Sequence, residues 1–308
     1  MEFDPYSETF FEDPWETYRW LRDEHPIYHH ERLGFYAVSR YDDCMEVHKD
    51  AASFSSTRGV TLDQLRSAAF GEAVEGQGLL IMTDPPRHER LRKLVSRAFT
   101  PRRIAAWEPV VSRVIGDALD RLDGTTSFDA VVDFSGPFPV EVISEIVGIP
   151  PADRQQLRHW TDTTLEREIG NPFPTDAGIE AAIATGEYMR ALVADRRRHP
   201  ADDMLGHLLE AEVEGDDGTV ERLDDDAVAG FVVLLIAAGA ETVTKLVGNG
   251  VMTFAEHPAE LARLKADPGL VASAVEEVLR FRAPAQYAGR FCVADWPRHG
   301  TTIPAGSP

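Results

Sequence analysis

The chain has 308 residues, enough for one large hydrophobic core or two ordinary ones. Hydrophobic residues make up 43%, which excludes a disordered chain, and 31 basic residues against 52 acidic ones give a formal charge of −21, which disfavours nucleic acid as a partner. Cys44 and Cys292, the two cysteines, stand in unrelated contexts with neither metal-ligand spacing nor a disulfide framework, as expected in a reducing cytoplasm.

Met1 to Asp4 do not read as a signal peptide, and no repeat or low-complexity tract is visible. Asp13-Pro14-Trp15 followed by Tyr18, Trp20 and Leu21 predicts a capped amphipathic helix with proline in its first turn. Pro26 to Glu31 and Gly34 to Ser39 predict two short strands around a turn, and Tyr41 to Lys49 returns to helix. Ser53 to Gly78 is irregular apart from a short helix expected over Leu62 to Phe70, and a connection that long points to a flap over a ligand.

Thr83-Asp84-Pro85-Pro86 opens a helix from Arg87 to Phe99. Between Arg87 and Arg103 the chain turns basic, with six arginines and Lys93 against Glu89. His88 and Arg92 share a face at i,i+4 and suit one anionic group; a solvated basic face fits the same residues. Helical patterns follow from Pro101 to Gly148, with a break at Phe134 to Pro137, then from Ala152 to Glu168 and from Ile179 to Arg198. The acid-rich stretch Asp202 to Asp226 has a turn at Glu214 to Gly218. Its adjacent aspartates lack the helical spacing of a magnesium site, so they are expected to form a solvated face and a helix cap.

Asp224 to Gly250 predicts the central helix. Ala227 to Ala240 is unbroken apolar or glycine, shorter than the roughly 20 residues that span a bilayer, so the helix is expected in a soluble core and no membrane partner is expected. Within Ala238-Gly239-Ala240-Glu241-Thr242, glycine leaves space beside the backbone and the Thr242 hydroxyl reaches the Ala238 carbonyl. Glu241 ends an apolar run and needs a partner or a task. Either the helix opens here beside a flat ligand, or small residues mark a crossing point and Glu241 emerges into water. His257-Pro258 and Asp267-Pro268 bracket a short helix. Val271 to Phe281 is another, with Glu277 and Arg280 paired at i,i+3 and expected to be partly buried among Val275, Val278 and Leu279. Arg290 to Val293 and Thr301 to Pro304 predict strands. The fold class is mainly α with small β-sheets, an α+β chain read as one domain over 1–308.

In order and identity these stretches resemble the cytochrome P-450 haem-thiolate monooxygenases, especially the soluble bacterial ones. Ala238-Gly239-Ala240-Glu241-Thr242 resembles the family's oxygen-binding motif, Glu277-Val278-Leu279-Arg280 its Glu-x-x-Arg motif, and His88-Glu89-Arg90-Leu91-Arg92 its propionate-binding helix; Arg290 falls where a further propionate-binding arginine stands. The resemblance implies haem b, O2, a lipophilic small-molecule substrate and a ferredoxin-type electron donor docking on Arg87 to Arg103. It implies that Thr242 and Glu241 relay protons, that Ala238 and Gly239 make room for O2, that His88, Arg92 and Arg290 bind propionates, and that Glu277 and Arg280 are structural. Leu62 to Leu80, Phe173 and Ala285 to Ala288 are expected over the haem. The family's Phe-x-x-Gly-x-x-x-Cys loop has no counterpart here, so no metal ligand is assigned. The axial cysteine is expected beyond residue 308, the chain to be C-terminally incomplete, and residues 1–308 alone to be inactive. The alternative is a truncated non-catalytic fragment or helical binding protein without iron chemistry.

Overall fold

A computed structural model describes residues 2–66, 79–214 and 220–308. The expected helix at Leu62 to Phe70 is described only as far as Arg66; the rest of that flap, and the expected turn at Glu214 to Gly218 beyond Glu214 itself, lie outside the described residues. In chain order the helices are α1 Glu8–Glu12, α2 Trp15–Glu24, α3 Tyr41–Lys49, α4 Leu62–Arg66, α5 Arg87–Ser96, α6 Pro101–Asp120, α7 Pro137–Val147, α8 Arg154–Leu165, α9 Asp176–Arg198, α10 Met204–Glu210, α11 Asp225–Glu256, α12 Pro258–Ala266 and α13 Val271–Phe281. The strands are β1 Ile27–His30, β2 Phe35–Val38, β3 Phe54–Ser55, β4 Glu212–Glu214, β5 Val220–Arg222, β6 Phe291–Cys292, β7 Trp296–Arg298 and β8 Thr301–Ile303, paired antiparallel as β1-β2, β3-β6, β4-β5 and β7-β8. Helices with small two-stranded sheets are the class that the patterns predict.

The chain divides into two compact units, one of residues 1–94, 160–184 and 288–308, the other of 95–159 and 185–287. In the first, strands from both ends of the chain share a core: Ile27 and Phe54 pack with Cys292, Trp296 and Ile303. A second cluster joins Tyr6, Leu33, Phe35 and Leu62. A polar clamp reinforces the junction. Buried Asp43 on α3 accepts from Arg298 Nε at 2.8 Å and from the His299 ring at 2.6 Å, while Glu46 accepts from Arg298 at 2.7 Å and from the Trp296 indole at 3.0 Å. Burying a carboxylate is costly unless its lone pairs are matched, and here they are.

α11 organises the second unit. Asp224 caps it by accepting from the Ala227 N–H at 2.7 Å, and Asp225 and Asp226 in its first turn pair with Arg197 and Arg190. Val228, Phe231, Val232 and Ile236 bury its first half. α7, the π-helical turn Ala130–Ser135, α10, α12 and α13 all pack on it. The helix runs to Glu256, and by length and composition alone it could cross a membrane. The apolar run Ala227 to Ala240 ends at Glu241 and Thr242 as expected, and Val243 to Phe254 continue the helix as a mixed stretch with Lys245 and Asn249. Its second half packs with Val243 and Val247 against a cluster whose buried centre is Val114, Ala118 and Phe138.

α7 ends at Gly148, which adopts φ +92 and donates back to Ser144 and Glu145; a side chain there would run into Asp203. Asp203 in turn caps α10, accepting from Gly206 N–H at 2.8 Å. Six short elements have no counterpart in the sequence reading, α1, α10, β3, β4, β5 and β7, and the helical pattern from Pro101 breaks after Asp120 as well as near Gly136.

Candidate functional site

In the second unit, the Thr242 hydroxyl donates to the Ala238 carbonyl at 2.5 Å, as the four-residue spacing predicts, and both residues lie exposed on α11. Thr244 makes a second such bond to Ala240 at 3.0 Å and also donates to the Ser135 carbonyl at 2.9 Å, fastening α11 to the π-helical turn. Glu241 has a partner: Lys245 Nζ lies 2.6 Å from its carboxylate, one turn on.

Gly239 corrects an expectation. A Cβ built there would stand 3.3 Å from Ile143 Cγ1, so the space beside the glycine is filled by a side chain of α7. The glycine permits close helix packing and opens no notch; any room for a ligand lies on the Ala238–Thr242 face.

Glu277 and Arg280 form the expected bidentate pair, 2.7 Å at both contacts, and Arg280 holds the Glu277 carboxyl below the usual range. The pair is not partly buried: its side chains are 62% and 68% exposed, because α13 turns this face to solvent. Both residues line a cleft of about 520 Å³ with Thr253, Phe254, His257 and Phe281. Neither Glu241 nor Thr242 contributes to that cleft, so it is separate from the α11 motif.

The first unit carries the other candidates. Arg290, half-buried just before β6, donates to the Gly289 carbonyl at 2.7 Å, and its second arm meets His48 Nδ1 at 3.2 Å. Among the described residues no carboxylate lies within ion-pair distance of it. Burial pushes its guanidinium down, and the field of Asp84, at the entrance to α5, partly offsets this. Asp84 itself accepts from the Ser56 N–H at 2.9 Å, beside the β3-β6 pair. His88 and Arg92 follow on α5, His88 half-buried and Arg92 exposed. The structure thus gathers Arg290 and the α5 entrance into one unit. His48 and Lys245 were missed: Lys245 was legible at i,i+4, whereas His48 is 242 residues from Arg290 and gave no signal.

Of these residues, Arg290 has the chemistry to hold an anionic group such as a carboxylate. A half-buried guanidinium with unspent donors and no carboxylate partner calls for an anion. Neither cysteine fits the axial position. The Cys44 thiol donates to the Val38 carbonyl at 3.2 Å and the Cys292 thiol to the Ala294 carbonyl at 3.0 Å, and burial pushes both thiols up.

Comparison with known proteins gives consistent neighbours. A putative cytochrome P450 123 of Mycobacterium tuberculosis is 41% identical over 306 residues, covering 99% of this chain and 74% of that protein. The erythromycin C-12 hydroxylase of Saccharopolyspora erythraea is 36% identical over 290 residues, covering 92% and 68%. Among solved structures, the cytochrome P450 CYP109Q5 of Chondromyces apiculatus superposes with a TM-score of 0.85 at 32% identity, over 98% of this chain and 74% of the other. The polyketide synthase cytochrome P450 PksS of Bacillus subtilis gives 0.85 at 30% identity, over 99% and 76%. No protein-family model matches the chain.

Proposed function

The chain belongs to the cytochrome P450 family, and from that premise we propose that it serves to hydroxylate or epoxidise a lipophilic small molecule, using O2 and electrons from a ferredoxin-type donor. The haem reading is carried by one observation: the half-buried Arg290 guanidinium has no carboxylate partner within ion-pair distance among the described residues. Haem, when bound, supplies the oxygen chemistry.

The chain's own residues do the rest. Arg290, His88 and Arg92 neutralise the propionates by charge-assisted bonds. The Thr242 hydroxyl, parked on the Ala238 carbonyl, hands on a proton by rotating about its C–O bond, and Glu241 brings protons from solvent once it leaves Lys245. Ala238 lies on the open face, Gly239 seats α11 on Ile143, and Glu277 with Arg280 stiffens α13. The basic run Arg87 to Arg103 docks the donor. A cytoplasmic location goes with this reading.

The two cysteines, each donating its thiol to a backbone carbonyl, favour a second reading: residues 1–308 bind haem without thiolate ligation from Cys44 or Cys292. Haemin titration of the purified chain, followed by reduction under carbon monoxide, tests both parts. A haem absorption band without the thiolate-type carbonyl band is the expected result. Failure to bind haemin would sink the propionate assignment, and a thiolate-type band would sink the assignment of the cysteines.

A further inference from the structure

We propose that His48 is the positioning residue for Arg290, holding one arm of the guanidinium so that the others face a carboxylate. The proposal rests on the haem reading and adds a residue and a proton switch to it. Arginine carries five N–H donors and no acceptor. Two contacts are occupied, the Gly289 carbonyl at 2.7 Å and His48 Nδ1 at 3.2 Å, which leaves the remaining donors for an anion.

Because Arg290 can only donate, His48 Nδ1 must accept, so the imidazole is neutral with its hydrogen on Nε2. Protonating the ring would set an N–H against a guanidinium, replacing a hydrogen bond with a like-charge contact. Arg290 is the charged group whose field reaches His48 from outside its helix; Lys49 follows it on α3, and Asp84 acts on Arg290 from the entrance to α5. Burial first, and Arg290 second, hold the imidazole below its ordinary value. The grip is therefore set at neutral pH and released on the acid side of about 6.5.

The test is haemin affinity at about pH 7.5 and about pH 5.5, on either side of the ordinary imidazole value, with NMR titration of His48 in the haem-free chain. Wild type should lose up to about tenfold in affinity as His48 takes up its proton in the NMR titration, the scale of one hydrogen bond to a charged group. His48→Leu should be weak at both values, and His48→Asn, whose amide oxygen can accept, should restore the neutral value without the acid step. Haem dimethyl ester, with its propionates masked, should be indifferent to all of these changes. Arg290→Gln should weaken haemin binding and let His48 titrate closer to its ordinary value. If Arg290→Gln and the ester both bind like wild type and haemin, the propionate reading fails; absence of haemin binding sinks both claims. If Arg290→Gln weakens binding while His48→Leu does not, or if His48 titrates identically with and without Arg290, the positioning role is overturned and the haem reading stands.

Discussion

His30 shows how a single buried side chain sets a pH limit on the fold. Its ring is 1% exposed, Nδ1 accepts from the Leu33 N–H at 3.2 Å, and Nε2 stops 4.0 Å short of the Glu2 carboxylate. Burial lowers its proton affinity, Asp4 and Glu2 raise it, Arg32 lowers it, and the net direction is down. A histidine whose folded value lies below its unfolded value binds fewer protons when folded, so it contributes stability that is present above about pH 6.5 and lost as pH falls. Urea unfolding near neutrality and near pH 5 should show wild type losing stability on acidification, with a smaller loss in His30→Gln. An equal acid loss in both proteins would count against His30 as the source. None of this was visible in the sequence, where His29 and His30 look alike; strand register alone turns His30 inward against Phe35 and His29 outward against Tyr36.

Helices and caps were the most legible features, because their signals are local. Asp224 before an apolar run predicted the start of α11 to within a residue, and Tyr41 to Lys49 is α3 as expected. Replacing Asp224 by Ala removes the acceptor for the Ala227 N–H and should cost about 1 kcal/mol in chemical denaturation, with a smaller loss for Asp224→Asn, which keeps an acceptor oxygen. No loss with alanine would mean that the Asp225–Arg197 and Asp226–Arg190 pairs suffice to hold this end. What the local pattern could not show is direction. Gly239 was legible as a gap but not as a gap facing Ile143, and the Glu277–Arg280 pair was legible as a pair but not as an exposed one. Direction depends on which partner helix arrives, and that is a property of the assembled chain. The short elements α1, α10, β3, β4, β5 and β7 were missed for a related reason: two to seven residues are too few for a period to declare itself.

Across the whole molecule, charge makes a prediction that neither a residue nor a helix could. The chain carries −21, yet six arginines and Lys93 concentrate between Arg87 and Arg103. An acidic donor protein approaching that stretch feels two opposing fields. At about 0.01 M salt the screening length is about 30 Å, so the net negative charge repels the donor from a distance. At about 0.1 M it is about 10 Å; the distant acids are screened while the facing arginines still attract. At about 1 M it is about 3 Å, and both effects fade. Binding of an acidic ferredoxin to the chain should therefore rise and then fall with ionic strength, with its maximum near the middle value. Arg97→Gln with Arg102→Gln, both exposed positions, should lower the maximum and leave the low-salt limb in place. A steady rise with salt would show that the basic stretch attracts nothing, and a steady fall would show that the net charge is not felt at docking range.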